Sequence, residues 1–147
     1  MALVAFEPAV AADAESLVAI RIAAMRESLE RIGRFDPQRA RERFLASFDP
    51  ALTRHVACGG ARVGFVVVRP DGDGLLLDHL YLLPSAQGRG VGAAVLADVL
   101  ADADARRLPV RVVALRESGA NRFYERFGFE RVERGEWDNH YLRACRA

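Results

Sequence analysis

The chain has 147 residues, of which 51% are hydrophobic and 28% charged, and its mean hydropathy is +0.01. This length suits one domain with a full core, and the composition is not that of a disordered tail or a membrane span. All 21 basic residues are Arg against 20 acidic residues, so the net charge of +1 gives no electrostatic footprint for nucleic acid. Without Lys, Schiff-base chemistry and a lysine-containing phosphate loop are excluded.

The cysteines and histidines do not suggest a disulfide framework or a metal site. Cys58 and Cys145 lack CxxC spacing, and the three histidines are scattered along the chain.

The start, MALVAFEPAV, has no basic flank and does not resemble a secretory signal. No repeat or linker divides the sequence, so we expect one cytoplasmic domain over residues 1–147.

The first third of the chain predicts a strand and two helices. The strand carries Leu3, Val4 and Phe6 and ends near Pro8. From about residue 12 to residue 31, apolar residues recur every three or four positions, which is typical of an amphipathic helix. Asp36 followed by Pro37 is a helix N-cap with proline at the first helical position, and the second helix ends at residues 49–50.

The remainder alternates strands with two helices. Valine-rich runs and glycine turns predict three antiparallel strands, at about residues 53–57, 62–69 and 75–83. Helices are expected at about 90–106 and 119–127, and strands at 109–115, 129–134 and 139–144. The resulting order, β-α-α-β-β-β-α-β-α-β-β, predicts an α/β (α+β) fold with helices on both faces of a mixed sheet.

A glycine-rich segment, Gln87-Gly88-Arg89-Gly90-Val91-Gly92-Ala93, lies between a predicted strand and a predicted helix. Glycines let the backbone approach a ligand, because no Cβ intervenes. The N–H groups at a helix start attract anions without a cationic side chain. We therefore expect this loop to bind a phosphate or pyrophosphate.

Two motifs compete for this loop. Gly88, Gly90 and Ala93 satisfy the dinucleotide fingerprint GxGxxG/A, but that fingerprint follows the first strand of a βαβ unit and needs an acidic residue about 20 positions later. Here other elements come first, and Glu117 lies 29 residues beyond Gly88. The competing pattern is QxxGxG after a strand that ends in LxLP.

This second pattern resembles the GCN5-related N-acetyltransferase (GNAT) superfamily. Residues 87–93 match the acetyl-CoA pyrophosphate loop of that family, and ANRFYERFGF, at 120–129, matches its second cofactor segment. The resemblance covers nearly the whole chain in element order. It implies a mixed, mostly antiparallel sheet of six to seven strands and an acetyl-CoA cosubstrate, with no metal.

The resemblance also implies the cofactor contacts. Main-chain groups of Leu80, Tyr81 and Leu82 would meet the pantetheine amides, where the family separates this strand from its parallel neighbour. The family often has asparagine six residues before the tyrosine of the second segment, where this chain has Ser118, while Asn121 lies three residues before it. Either residue could bond the pantetheine arm.

Tyr124 occupies the position of the family's general acid, whose phenol protonates the leaving thiolate. The alternative is a half-buried core tyrosine.

The candidates for the general base are Asp78 and His79. Alternation puts Asp78 on the face of the leucines at 80 and 82 and His79 on that of Tyr81, although a bulge would exchange these faces. A buried carboxylate is costly unless it is paired or faces a cleft. His140 is either a site residue or a surface histidine.

The predicted helix pair usually builds the acceptor pocket in this superfamily. Five arginines lie there around Phe35, at positions 31, 34, 39, 41 and 43. They would hold a carboxylate or phosphate on the acceptor, or they form a solvated surface. Trp137 lines the cleft or closes the core.

The sequence thus predicts an N-acetyltransferase in which an amine of a small molecule or peptide attacks acetyl-CoA directly in a ternary complex. The alternative is a non-catalytic acyl-CoA-binding module of the same fold. The expected partners are acetyl-CoA and an amine acceptor, without nucleic acid or membrane, and a homodimer is an open alternative to a monomer.

Overall fold

The computed structural model describes residues 3–147, and within them it contains the helices and strands in the predicted order. The strands are β1 (Ala5–Pro8), β2 (Thr53–Cys58), β3 (Ala61–Asp71), β4 (Gly74–Leu82), β5 (Val110–Leu115), β6 (Glu130–Arg134) and β7 (Asp138–Arg143). The helices are α1 (Ala14–Arg31), α2 (Pro37–Ser47), α3 (Val91–Ala105) and α4 (Ala120–Arg126). Most predicted boundaries agree with these to within two residues.

The strands form a seven-stranded sheet in the order β1-β2-β3-β4-β5-β7-β6. β4 and β5 are parallel, whereas β1 with β2, β2 with β3, β5 with β7 and β6 with β7 are antiparallel. The prediction of a mixed, mostly antiparallel sheet is confirmed. The insertion of β7 between β5 and β6 separates strands that are consecutive in sequence.

Contacts divide the chain into two compact units. The first contains the chain up to Val67 together with His79–Leu96, and the second contains Val68–Asp78 and Ala97–Ala147. The expectation of one domain over the whole chain remains a prediction.

The core of the first unit joins the first two helices to β3. Leu17 and Val18 of α1 pack with Phe44 of α2 and Phe65 of β3, all four at most 4% exposed. The sequence pattern explains the start of α2, because the side chain of Asp36 accepts a hydrogen bond from the backbone N–H three residues later.

A buried histidine links the start of α1 to β2 in the same unit. Nε2 of His55 lies 2.8 Å from the carboxylate of Asp13, and the ring is 1% exposed. The hydrogen bond from His55, followed by one from the backbone N–H of Val10, lowers the pKa of Asp13 below its usual 3.8. This pair fixes the turn that precedes α1.

A half-buried ion pair lies near the C-terminal end of the second unit. Arg143 of β7 is 5% exposed and donates to both carboxylate oxygens of Asp104 on α3, at 2.9 and 3.1 Å. The backbone N–H of Arg146 donates to the same carboxylate. These interactions, led by the Arg143 hydrogen bond, lower the pKa of Asp104 to about 2.

Among residues 3–147, no helix combines the length and the apolar character needed to cross a membrane.

Candidate active site

The glycine-rich loop lies between the end of β4 and the start of α3. A short 3-10 turn, Pro84–Ala86, is followed by the side chain of Gln87, whose Nε2 donates to the carbonyl oxygen of Leu82 at 3.0 Å. Gly88 and Gly90 have positive φ values of 73° and 81°, a conformation that only glycine adopts at little cost. Residues 87–90 are exposed, so their backbone is open to a ligand.

The loop leads directly into the first turn of α3, which begins at the buried residue Val91. The first hydrogen bond of this turn runs from the N–H of Ala94 to the carbonyl of Gly90. The N–H groups of Val91, Gly92 and Ala93 therefore belong to the first turn, where helix geometry provides no carbonyl partner. Together with the helix dipole, they form a suitable site for an anionic group.

The end of β4 carries the three residues predicted to meet the pantetheine arm. β4 pairs with β5 at Leu75–Leu77, and Leu80–Leu82 lie beyond these pairs. β3 approaches β4 closely here, because a Cβ on Gly64 would overlap the carbonyl oxygen of Tyr81 and lie 2.6 Å from the Leu82 side chain. The N–H of Leu83 donates to the carbonyl of Val63 at 2.8 Å.

Asp78 has a cationic partner within the second unit. Its carboxylate accepts a hydrogen bond from Nε of Arg69 at 2.6 Å, and the two side chains are 27% and 22% exposed. The sequence predicted that a carboxylate at this position would be paired or would face a cleft. The ion pair gives Asp78 a structural role that is independent of any role as a base.

His79 lies in an aromatic group of the first unit, with ring centroids 5.5 Å from Phe44, 6.1 Å from Phe65 and 5.5 Å from Tyr81. His79 and Tyr81 therefore share the face that strand alternation predicts. This packing gives His79 a structural role, while it remains a candidate for the general base.

Tyr124 is 7% exposed on α4. Its ring packs edge-on against Phe123 and Phe129, with centroid distances of 5.3 and 5.5 Å. The backbone N–H of Phe129 donates to the carbonyl of Tyr124, so the turn after α4 folds back over the residue. A buried aromatic position is compatible with both interpretations of this tyrosine.

Ser118 and Asn121, the two alternatives for a pantetheine contact, both lie near the end of β5. The hydroxyl of Ser118 donates to the carbonyl of Leu115 at 2.9 Å. Nδ2 of Asn121 lies within hydrogen-bond distance of the carbonyls of Leu115, Arg116 and Ser118. The two residues therefore share a backbone acceptor.

Two β7 residues that the sequence analysis did not select complete this group. Nδ2 of Asn139 and the hydroxyl of Tyr141 both donate to Oδ1 of Asn121, at 2.9 and 2.7 Å. Burial, and secondarily the Glu125 carboxylate, raises the pKa of Tyr141 above its usual 10.0. Both residues lie on the predicted strand at 139–144, and the only signal for them in the sequence is that alternate residues of a strand share one face. With Ser118 and Asn121 they line a cleft of about 530 Å³ within the second unit.

His140 and Trp137 lie at the surface of the second unit. The His140 side chain is 44% exposed, with Nε2 3.9 Å from the carboxylate of Glu133. Trp137 is 42% exposed, and its carbonyl accepts a hydrogen bond from the N–H of Arg116. Neither position indicates a catalytic role for His140 or Trp137.

Several of the arginines around Phe35 have partners of their own. Arg41 donates to both oxygens of Glu15, at 3.0 and 2.6 Å. Arg31 pairs with Glu27 one helical turn away. These exposed pairs are typical of a solvated helix surface, and they leave the acceptor question open.

The sequence matches the family model described as acetyltransferase (GNAT) domain over residues 50–131, which is more than half of the chain. This span includes β4, the glycine-rich loop and α4. The chain belongs to the GNAT acetyltransferase family. A search of curated proteins gave no match.

Solved structures share the fold over almost the whole chain. A GCN5-related N-acetyltransferase from Rhodopseudomonas palustris is 22% identical, with a TM-score of 0.74 and coverage of 98% of this chain and 97% of that one. The PaiA N-acetyltransferase from Thermoplasma acidophilum, solved in complex with coenzyme A, is 14% identical, with a TM-score of 0.74 and coverage of 97% and 99%. A protein from Pyrococcus horikoshii OT3 is 18% identical, with a TM-score of 0.78 and coverage of 99% and 100%.

In this GNAT chain, the predicted site residues fall into both compact units. Leu80–Leu82, the glycine-rich loop and His79 belong to the first, whereas Asp78, Ser118, Asn121 and Tyr124 belong to the second. In the part of the chain that the structure describes, no group of three His, Cys, Asp or Glu side chains is arranged to hold a metal ion.

Proposed function

We propose that this protein is an acetyl-CoA-dependent N-acetyltransferase acting on an amine of a small molecule or peptide. The observation that carries the proposal is the loop of residues 87–93. It combines exposed backbone, two glycines with positive φ, and the open N–H groups of a helix start. Membership of the GNAT family and the coenzyme A bound to a protein of the same fold support it.

The proposed reaction is direct transfer in a ternary complex. The acceptor nitrogen attacks the thioester carbonyl, so that the N–C bond forms and the C–S bond breaks. Before the attack, a protonated acceptor amine loses one proton to a base or through water, and that proton passes to solvent. The departing thiolate takes a proton from the Tyr124 hydroxyl, and the proton that the attacked nitrogen then releases returns through water to the tyrosinate. Asp78 and His79 are the candidate bases.

The remaining residues would hold the cosubstrate. The N–H groups of the glycine-rich loop, including Arg89, would bind the pyrophosphate. Main-chain groups of Leu80–Leu82, which lie beyond the β4–β5 pairs, would bind the pantetheine amides. Ser118 is the favoured side-chain contact, because the amide of Asn121 is already occupied within the protein.

A second candidate function is a non-catalytic acyl-CoA-binding module. It is favoured by one specific observation: both candidate bases have structural partners, with Asp78 paired to Arg69 and His79 packed among aromatic rings. Such a module would bind acetyl-CoA but would not release free CoA in the presence of amines.

Two measurements test these proposals. Acetyl-CoA or CoA should raise the melting temperature more than NAD or ATP, because a ligand that binds the native state stabilises it by mass action. A larger shift with NAD would contradict acetyl-CoA binding. Thiol release from acetyl-CoA with a broad panel of amines should then exceed release without amine, and binding without release would favour the non-catalytic module.

A further inference from the structure

The side-chain amide of Asn121 uses its full hydrogen-bonding capacity inside the protein. Its two N–H donors face three carbonyl oxygens, those of Leu115 at 2.8 Å, Ser118 at 2.9 Å and Arg116 at 3.2 Å. An amide offers two donors and one oxygen with two lone pairs. The donors are therefore committed to the backbone at the end of β5 and the start of α4.

The oxygen of the same amide is committed as well. It accepts from Nδ2 of Asn139 at 2.9 Å and from the hydroxyl of Tyr141 at 2.7 Å. Because the nitrogen faces only carbonyl oxygens, rotating the amide by half a turn would set oxygen against oxygen. The orientation of Asn121 is thus determined by its surroundings.

The two donors from β7 are buried, with Asn139 5% and Tyr141 3% exposed. Burial raises the pKa of Tyr141, so its phenol keeps the proton that it donates throughout the neutral range. Asn121 therefore links β7 to the turn that carries Ser118 at neutral pH.

Ser118 differs from Asn121 in having capacity to spare. Its hydroxyl proton is donated to the carbonyl of Leu115, and its lone pairs are available to accept an N–H. The carbonyl of Leu115 also accepts from Nδ2 of Asn121 and from the backbone N–H of Ser118. The position of the Ser118 hydroxyl thus depends on a turn that Asn121 holds in place.

We propose that Asn121 is a positioning residue for acetyl-CoA binding. Its amide, held by Asn139 and Tyr141, fixes the turn at residues 115–118 so that Ser118 can accept a hydrogen bond from the pantetheine arm. This inference rests on the proposed function, and it assigns Asn139 and Tyr141 a part in acetyl-CoA binding through Asn121.

The test compares binding of CoA with binding of phospho-ADP, the nucleotide portion of CoA without the pantetheine arm, by isothermal titration calorimetry. Asn121→Asp places a carboxylate against three carbonyl oxygens, and Tyr141→Phe removes one donor to Oδ1. Loss of such buried partners should raise the Kd for CoA by about tenfold in the first variant and by less in the second. The Kd for phospho-ADP should stay unchanged in both.

Tyr141→Phe separates positioning from direct contact. If Asn121 bound pantetheine itself, removing the tyrosine hydroxyl would free a lone pair on Oδ1 and leave CoA affinity unchanged or improved. In the Ser118→Ala background, Asn121→Asp should have little further effect, because Asn121 acts through Ser118. Additive losses of affinity would contradict the proposal.

Melting temperatures and far-UV circular dichroism serve as the folding controls, and Asn121→Ala replaces Asn121→Asp if that variant does not fold. Equal weakening of CoA and phospho-ADP would indicate general damage and overturn the inference. If the wild type binds CoA and both variants match it, the inference alone fails. If the wild type does not bind CoA, the proposed function fails with it.

Discussion

At the scale of single residues, Tyr124 offers the sharpest test of chemistry. Tyr124→Phe preserves the ring that packs against Phe123 and Phe129 and removes only the hydroxyl. If the hydroxyl protonates the departing thiolate, kcat should fall by about 10²–10⁴-fold while the Kd for acetyl-CoA is retained. Steady-state kinetics and calorimetry on the same preparation measure both quantities.

The control for this substitution is Phe123→Leu, which alters the packing against Tyr124 and keeps its hydroxyl. It should lower the melting temperature with a much smaller change in kcat. Turnover by Tyr124→Phe within a factor of about three of the wild type would identify Tyr124 as a packing residue, with water as the proton source.

Substituting Asp78 and substituting its partner Arg69 should have different effects on the reaction rate. Asp78→Asn should reduce the rate, and most strongly at low pH, where the amine is protonated and needs a base. Arg69→Gln breaks the same 2.6 Å contact but keeps the carboxylate, so it should lower the melting temperature without that loss of rate. The measurement is the rate as a function of pH for both variants. If the Asp78→Asn profile matched the Arg69→Gln profile, Asp78 would have a structural role only.

The sequence could identify these residues but not their partners. The cost of a charge in the apolar strand LLLDHLYLL directed attention to Asp78. Its partner depends on the register of β3 against β4, which the turn between them determines. Likewise, the composition around Asn121 does not indicate that Asn139 and Tyr141, 18 and 20 residues later, donate to its oxygen.

At the scale of elements, the glycine-rich loop can be tested by its effect on stabilisation by CoA. Gly90→Val adds a branched side chain at φ 81° where the backbone would meet a pyrophosphate, so the stabilisation by CoA should disappear. Gly33→Val is the matched control, because it introduces a similar strain at φ 69° after α1. Thermal unfolding with and without CoA compares them, and a retained CoA shift in Gly90→Val would mean that the loop only starts a helix.

The order of elements was predictable because glycine turns, proline caps and apolar periodicity are local signals. The placement of β7 between β5 and β6 was not. β6 is exposed along its whole length, and its pairing with β7 shifts register between Arg131 and Glu133. Its sequence therefore shows no regular alternation of apolar and polar residues. The close approach of β3 to β4 at Gly64 appears in sequence only as a glycine within a valine-rich run.

At the scale of the whole molecule, the Asp104–Arg143 pair predicts how acid destabilises the protein. The pKa of Asp104 is about 2 in the folded state, below its usual 3.8, so the unfolded state binds this proton more readily. The resulting stability is present above the usual pKa and is lost as the pH falls from 3.8 toward 2. The difference in unfolding free energy between the wild type and Asp104→Asn should therefore shrink over this interval, as measured by urea denaturation.

Asp102→Asn is the control, because Asp102 pairs with Arg106 at the surface of the same helix. Exposed pairs contribute little, so this variant should follow the wild type at each pH. A difference between the wild type and Asp104→Asn that stays constant down to about pH 2 would contradict the linkage.

The position of Trp137 makes the protein its own optical reporter. It is the single tryptophan in the sequence, it is 42% exposed between β6 and β7, and its carbonyl is bonded to the N–H that follows β5. Its fluorescence therefore follows the second compact unit, whereas the far-ultraviolet signal follows helices in both. Recording the two signals along one denaturation curve resolves the melting of one unit from the loss of the whole fold, without any label attached to the chain.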